Sequence, residues 1–387
     1  MNLAADLLQA YRGGTGLRYG GREISPVEVR TVMERLHLLV FPMVNPDGRH
    51  HSQYRKGDWR KNRNPAYGVP EVSGVDLNRN YDFLFDLGKH WAPSSEGGEV
   101  LGATSADPNE YEVYQGPRPF SEAETLNVKW LLDTHPRVRW QVDVHSYTQV
   151  FDYNWNNDDN QITDPGKNFR NPAYDGKRGV TRTFHPDRLL EAVYREYIPA
   201  ADLGIVQSLT QTFTDGLRAV RGTAYQPEQG VVTYVTGGTV DDYAYARHLV
   251  DPGREKVHGF FVEFSTEYVP TWTEMTEVIR DVSSGLFSFC HRAALEADHI
   301  ATVTRDPDWM DIFAVGADGV ARVAWWNGGW NAWQPIYART FAPGTAIAAQ
   351  SRNSDQMDLF AIGTDGRVYN AWWHGRWNDW QSIGSMG

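Results

Sequence analysis

Cysteine is nearly missing from this chain: Cys290 is the single one among 387 residues, so no internal disulfide can staple the fold. No run of about 18 apolar residues occurs, which excludes a transmembrane helix as an expectation. The opening Met1-Asn2-Leu3-Ala4-Ala5-Asp6 has no basic region, apolar stretch or small-residue cleavage site, so no signal peptide is read there. Positive charge is also short. Lys plus Arg number 37 against 49 Asp plus Glu, a net charge of −12, which argues against nucleic acid as a partner because phosphate backbones reward clustered positive charge. A membrane partner is not expected either.

What is present is ample. Hydrophobic residues make up 41% of the chain, enough for a sizeable core. A length of 387 residues at roughly 150 per domain leads to an expectation of two to three domains.

Tryptophan marks the boundary. Nine of the 15 Trp lie in the last 87 residues, a stretch without Lys. This stretch repeats itself: Met310-Asp311-Ile312-Phe313-Ala314-Val315-Gly316 returns 47 residues later as Met357-Asp358-Leu359-Phe360-Ala361-Ile362-Gly363. Asp318-Gly319, Trp325-Trp326, Trp330-Asn331 and Trp333-Gln334 return at the same offset, and 16 of the 27 positions starting at 310 and 357 are identical. Each unit reads as alternating apolar runs around an Asp-Gly turn, followed by a Trp pair. A period in the forties with several strands per unit predicts blade-like sheets. The spacing resembles the repeats of bacterial propeller lectins with a Trp-rich blade motif. That resemblance implies a glycan as a second partner, bound by an exposed indole against a sugar face. Propellers normally close with four or more blades, and only two are visible, so the pair must pack on the first domain, assemble with other chains, or form a partial sheet.

The first 300 residues read as mixed α/β. Leu3, Leu7, Leu8 and Tyr11 recur at helical spacing and Gly13-Gly14 stops them. Residues 36–44 are an almost continuous apolar run, predicting a strand buried on both faces. Ser121-Glu122-Ala123-Glu124 predicts a capping box opening a helix through Trp130-Leu131-Leu132. Residues 140–144 and 260–262 predict further buried strands, and residues 273–296 a closing helix. Cys290 on that helix reads as a buried core thiol.

Polar clusters sit at the ends of these runs. Asn45-Pro46-Asp47-Gly48 follows the first, then Trp59-Arg60-Lys61-Asn62-Arg63 and Gly74-Val75-Asp76-Leu77-Asn78-Arg79-Asn80. Asp143-Val144-His145-Ser146-Tyr147 ends another strand, Tyr234 precedes Gly237-Gly238, and Glu263 follows residues 260–262. Arg offers a planar, permanently charged fork that matches a carboxylate. A strand-end Glu among apolar neighbours can act as general base. A strand-end His suits a metal or a proton. Residue types alone leave these alternatives open.

In order and spacing the segments resemble the zinc metallocarboxypeptidases of the carboxypeptidase A and B type, nearly collinearly from residue 2 to 296. The resemblance rests on Asn-Pro-Asp-Gly, Trp-Arg-Lys-Asn-Arg, Gly-Val-Asp-Leu-Asn-Arg-Asn, the stretch Tyr114 to Glu124, and His145-Ser146-Tyr147-Thr148-Gln149. It implies His145 as a zinc ligand, Glu263 as general base and Arg60 as oxyanion stabiliser. Asn78 and Arg79 then bind the terminal carboxylate of a peptide substrate with a free C-terminus, and Tyr234 closes over it. Asp76 becomes the partner of another zinc ligand. Asp241 falls where the family sets side-chain preference, favouring C-terminal Lys or Arg, while a shift in the Gly-Gly pair puts Val240 there.

One feature of the family is lacking. Its first two zinc ligands come from a His-x-x-Glu pair, and none of the 12 His here has Glu three residues on. The closest approximation, His248-Leu249-Val250-Asp251, lies late in the chain, where the family puts no metal ligand. A catalytic zinc needs about three protein ligands and an open position. The expectation is therefore a chain that is metal-poor and inactive as given, whether through a late start, a fragment or a degenerate site. The expected fold is α/β, a mixed central sheet flanked by helices with its first strands missing, over residues 1–298. A small all-β repeat module covers 299–387. Relatives of both halves lead to an expected extracellular location. The rival function is a carbohydrate-binding protein with a vestigial peptidase domain.

Overall fold

The computed structural model describes residues 1–93, 103–182, 194–296, 300–316, 319–341, 345–363 and 365–385. The chain divides into two compact units, residues 1–29 with 37–289, and residues 30–36 with 290–387. The division falls within the last long helix rather than at 298.

The first unit opens with α1 (Asn2–Gly13), which buries Leu3, Leu7 and Ala10 and ends where the Gly14 N–H bonds the carbonyls of Ala10 and Tyr11. A hairpin of β1 (Leu17–Tyr19) and β2 (Arg22–Ile24) leads to α2 (Pro26–Arg35). The strand expected over residues 36–44 does not form. These residues have no regular structure, and Leu38, Leu39, Val40, Phe41 and Met43 are exposed. An apolar run becomes a buried strand only with a ladder partner and covered faces, and among the described residues this run has no ladder partner. The Asn-Pro-Asp-Gly motif instead starts a helix, α3 (Pro46–Tyr54): Asn45 Oδ1 accepts from Gly48 N at 2.9 Å, with proline in the first turn.

After α4 (Leu87–His90) comes α5 (Ala123–Thr134), and here too the expected local chemistry is diverted. The capping box does not form. Ser121 Oγ donates to Glu122 Oε1 at 2.7 Å and accepts from Asn80 Nδ2 at 2.9 Å, so tertiary partners outbid the helix end. The remaining elements are β3 (Trp140–His145), β4 (Val150–Tyr153), β5 (Asn160–Gln161), β6 (Glu196–Tyr197), α6 (Ala200–Arg221), β7 (Gln226–Gln229), α7 (Gly230–Thr233), α8 (Val240–Val250), β8 (His258–Glu263) and α9 (Trp272–Glu296).

The central sheet has the order β3-β8-β4-β7 and is mixed: β3 and β8 are parallel, β8 and β4 antiparallel, β4 and β7 parallel. β8 is buried along its whole length, as its apolar sequence predicts. β3 is only partly buried and Val144 is exposed, because among the described residues it pairs with β8 alone. Aromatic rings fill the core beside β4 and β8, with Phe151 stacked on Phe213 at 3.9 Å and Phe260 at 5.7 Å from Phe151. Strand β8 thus holds the polar residues at its carboxyl end on a rigid base.

In the second unit each repeat is one four-stranded antiparallel meander. The first is β9 (Ala301–Asp306), β10 (Trp309–Val315), β11 (Val320–Trp326) and β12 (Gln334–Thr340). The second is β13 (Ile347–Asn353), β14 (Gln356–Ile362), β15 (Arg367–Trp373) and β16 (Gln381–Ser385). The repeat extends to ion pairs on buried carboxylates, Arg305 with Asp311 and the more exposed Arg352 with Asp358. In the first Asp-Gly turn, Asp318 lies outside the described residues. Cys290 is a free thiol that is half-buried rather than fully buried, and burial pushes its pKa up to about 12.

Candidate active site

The parallel register of β3 and β8 sets His145 directly opposite Glu263 at the carboxyl ends of both strands. The Phe264 N–H donates to the His145 carbonyl at 2.9 Å and the Gln149 N–H to the Glu263 carbonyl at 2.8 Å, so both backbones are pinned. Strand alternation puts Asp143 on the same face as His145. Asp143 Oδ2 lies 2.9 Å from His145 Nε2, an ion pair set off the ring nitrogen's hydrogen-bonding axis, so Nε2 is buried without a hydrogen bond. Burial opposes the imidazolium, but Asp143 and Glu263 outweigh it and raise the His145 pKa to about 9. Glu263 is buried and its Oε2 has no hydrogen-bond partner. Burial pushes its pKa up, against the pull of His145 and Arg60.

Arginines face this pair. Arg60 Nη2 donates to Asp76 Oδ2 at 2.8 Å, and Asp76, with Glu263 and Tyr234 adding, holds the guanidinium charged. Asp76 Oδ1 also accepts from Asn78 N at 3.1 Å, and Arg79 Nη1 lies 4.0 Å from Asp76. One buried carboxylate therefore positions two arginines and the turn that carries Asn78, where the sequence led us to expect it beside a metal ligand. Arg79 is buried, bonded through Nε to the Ala103 carbonyl, with its guanidinium 5.0 Å from the Tyr234 ring. Asn78 Oδ1 accepts from Val240 N at 2.9 Å, linking this turn to the start of α8.

Gly238 allows that contact. It has φ +69°, and a Cβ there would stand 2.2 Å from the Arg79 carbonyl. Tyr234, half-buried, stacks on Phe261 at 6.1 Å; burial raises its phenol pKa against the opposing charge of Arg79.

Asp241 is fully buried in the first turn of α8. Its Oδ2 accepts from Asn156 Nδ2 at 2.6 Å, while Asp241 Oδ1, Asn156 Oδ1 and Asp152 Oδ1 are all buried without partners. Burial pushes the Asp241 carboxyl above the ordinary range. Val240 is buried too, in the aromatic cluster with Tyr81 and Tyr243.

His145, Glu263, Arg60, Arg79 and Tyr234 thus share one electrostatic neighbourhood. Three participants escaped the sequence reading. Asp143 was legible from its i, i+2 alternation with His145. Asn156 and Tyr268, whose hydroxyl donates to the Trp59 carbonyl at 3.1 Å and whose charge environment includes Arg60, arrive from loops and left no local signal. Among the described residues, no group of three or more His, Cys, Asp or Glu side chains is arranged to hold a metal ion.

The family model for zinc carboxypeptidases matches residues 1–278. Carboxypeptidase B of Astacus astacus is 26% identical over 264 residues, which are 65% of this chain and 68% of that protein. Carboxypeptidase A2 of Rattus norvegicus is 33% identical over 122 residues, 32% of this chain and 25% of that protein. The crystal structure of thrombin activatable fibrinolysis inhibitor has a similar fold, with a TM-score of 0.51 at 15% identity, over 76% of this chain and 57% of that one. Since the family match covers more than two thirds of its residues, the chain belongs to the zinc carboxypeptidase family.

Proposed function

We propose that the first unit binds peptides by their free C-terminal carboxylate, as part of a site that hydrolyses the last peptide bond, and that this 387-residue chain alone is metal-poor and hydrolytically silent. The observation that carries the proposal is the cluster of Arg60, Asn78, Arg79, Tyr234 and Glu263 beside His145, at the carboxyl ends of two parallel strands. Ligands of open sheets commonly sit there.

Zinc is the family's cofactor, and the residues present do not fit it. His145 Nε2 and Glu263 Oε2 are buried without hydrogen-bond partners, but the described residues supply no three-ligand set, and one imidazole does not meet the requirement for about three. What these side chains can do is bind and hold protons. Arg79 and Asn78 offer donors to a carboxylate, and Tyr234 covers it. Arg60, kept charged by Asp76, faces negative charge developing on the peptide oxygen. Glu263 offers an open oxygen for a proton. Asp241 sits among acceptors that lack donors, which suits a C-terminal Lys or Arg side chain.

Two measurements test this. Elemental analysis after dialysis against trace zinc should give near zero zinc per chain, and one zinc per chain overturns the silent reading. Calorimetric titration with a peptide ending in Lys should show binding that its C-terminal amide lacks. Equal binding of both overturns the carboxylate reading.

A second reading, carbohydrate binding by a module over 299–387, draws on the exposed indoles of Trp326, Trp330 and Trp333. A glycan array probed with the full chain tests it, and no binding at millimolar sugar sinks it.

A further inference from the structure

The peptide site lies at the carboxyl ends of β3 and β8, and a second concavity lies at their amino ends. Val138 stands just before β3 and Val257 just before β8, and both line a cavity of about 330 Å³. The His258 N–H donates to the Arg139 carbonyl at 2.8 Å and holds the two strand entrances together. The strands run parallel for six residues, so about 20 Å of sheet separates the cavity from His145 and Glu263. Its volume is at the small end of the range that holds organic ligands. Leu132 and Pro136 complete an apolar wall, and Arg247 and Arg254 form a cationic one.

The two arginines meet on one carboxylate. Arg247 Nη2 and Arg254 Nη1 both donate to Asp133 Oδ1, and Lys129 Nζ donates to Asp133 Oδ2. Arg254 Nε donates to Asp251 Oδ2 at 3.2 Å, and Glu255, also in the cavity wall, pairs with Arg139 at 3.1 Å. Four cations thus stand against three carboxylates, and a positive charge is left over in a chain whose net charge is −12. Donors are left over as well. Arg247 is 7% exposed and its Nε is buried without a hydrogen-bond partner. Among the described residues, neither Arg247 Nη1 nor Arg254 Nη2 meets an acceptor. A buried donor in that state costs about 1–3 kcal/mol. Arg247 lies in the last turn of α8, where a cation complements the helix carbonyls. That accounts for its charge and for its tie to α5, but not for the unused donors or for the space in front of them.

We infer that this cavity is a second ligand site, for a small carboxylic acid with an apolar body, aromatic or branched aliphatic. The carboxylate accepts from Arg247 and Arg254, whose guanidinium edges match its two oxygens. The body lies against Leu132, Pro136, Val138 and Val257, which gain from being covered. Asp133 is the resident competitor: it occupies one donor of each arginine and repels a second carboxylate beside it. The site is separate from the one that holds the peptide, which makes no use of these residues.

Calorimetric titration of the full chain with benzoate tests this, with benzamide as the uncharged control. Benzoate should bind with a dissociation constant on the order of a millimolar or below, and benzamide should not bind. The benzoate event should persist in Arg79→Met, which removes a carboxylate donor at the opposite end of the strands. Arg254→Gln, at a partly exposed side chain, should weaken it about tenfold by deleting one charge-assisted donor, with circular dichroism unchanged. Asp133→Asn should strengthen it about tenfold, because the competing charge is gone, and a gain of that kind cannot come from a misfolded chain. Absence of benzoate heat at millimolar concentrations overturns the inference. So does binding that Arg254→Gln leaves intact or that Arg79→Met abolishes, which would assign the acid to another place. Unchanged or weaker binding in Asp133→Asn overturns it too, since the bound acid would then not lie beside Asp133.

Discussion

The two units are incomplete in opposite ways. At the ends of β3 and β8 the unmet demand is polar and buried: Glu263 Oε2, His145 Nε2, Asp241 Oδ1, Asn156 Oδ1 and Asp152 Oδ1 have no hydrogen-bond partner. In the repeats the unmet demand is apolar and exposed, carried by Trp330, Trp333, Ile362 and Ile383. A buried polar atom without a partner costs about 1–3 kcal/mol and is satisfied by a small, directional ligand. An exposed apolar face gains from any cover, and area rather than direction decides what fits. The first unit therefore asks for a directional ligand, and the second only for apolar cover.

The strongest way to break the comparison is to truncate equivalent residues in the two repeats. Phe313 is fully buried, so Phe313→Ala should destabilise the second unit by about 3–5 kcal/mol. Phe360→Ala, at its half-buried counterpart, should cost about 1 kcal/mol or less. Urea unfolding followed by tryptophan fluorescence reads both, and equal losses would mean that the outer face is covered as fully as the inner one.

Legibility from sequence follows the same division. Strand β8 was readable because its apolar run is buried along its whole length, and helix α1 because Leu3, Leu7 and the Gly13-Gly14 stop agree with the helix, although Leu8 and Tyr11 are exposed. The repeats were readable because identity at a fixed offset needs no physics at all. Residues 36–44 misled because apolarity states what a segment wants, while pairing depends on what lies beside it. The Ser121 box misled for a related reason: Asn80, brought in by the fold, and the adjacent Glu122 side chain took the hydroxyl that the local pattern assigned to the helix end. At the site, His145 and Glu263 at strand ends and Arg60, Asn78, Arg79 and Tyr234 on loops and a short turn were named through the resemblance, whereas Asn156 and Tyr268 belong to no motif that carried it. The difference in burial between Phe313 and Phe360 could not be read at all, since both repeats carry Phe at that position.

Polar burial outside the site gives the next prediction. Glu196 is fully buried, accepting from Asn157 and the Tyr194 hydroxyl at 2.9 Å each and from the Phe169 N–H at 2.8 Å. Burial raises its pKa from 4.5 to about 7. Between those values the folded chain keeps a proton that the unfolded chain releases, so this group's contribution to stability falls as pH rises. His258, lowered by burial to about 4, works the other way, its contribution being lost as pH falls from 6.5 toward 4. The two slopes oppose each other in the wild type, so the Glu196 share is read as a difference. Relative to wild type, Glu196→Gln should gain on the order of 3 kcal/mol between pH 4.5 and 7.5. A difference independent of pH in urea titrations would mean that Glu196 ionises normally.

Smaller still is the loss of one donor at the site. Arg79→Met should weaken binding of a peptide with a free C-terminal carboxylate about 10- to 100-fold and leave its C-terminal amide unaffected, as expected for a charge-assisted hydrogen bond. Equal weakening of both peptides in calorimetric titrations would mean that Arg79 holds the loop and not the ligand.

The finest test separates ligand preference from stability at one atom. Asp241 Oδ1 is buried without a hydrogen-bond partner, so replacing the carboxylate by an amide breaks no bond at that atom. Asp241→Asn should therefore leave the melting temperature of the ligand-free chain unchanged or higher, because desolvating an amide costs less than desolvating a carboxylate. The same change removes the charge that would pair with a C-terminal Lys or Arg. Preference for a peptide ending in Lys over one ending in Leu should fall about tenfold, the equivalent of roughly 1.4 kcal/mol. A structural role for Asp241 predicts the reverse pattern, a lower melting temperature with preference unchanged. The two readouts move apart only if the carboxylate is held in the protein, at a cost to the empty state, for a cation that arrives with the peptide.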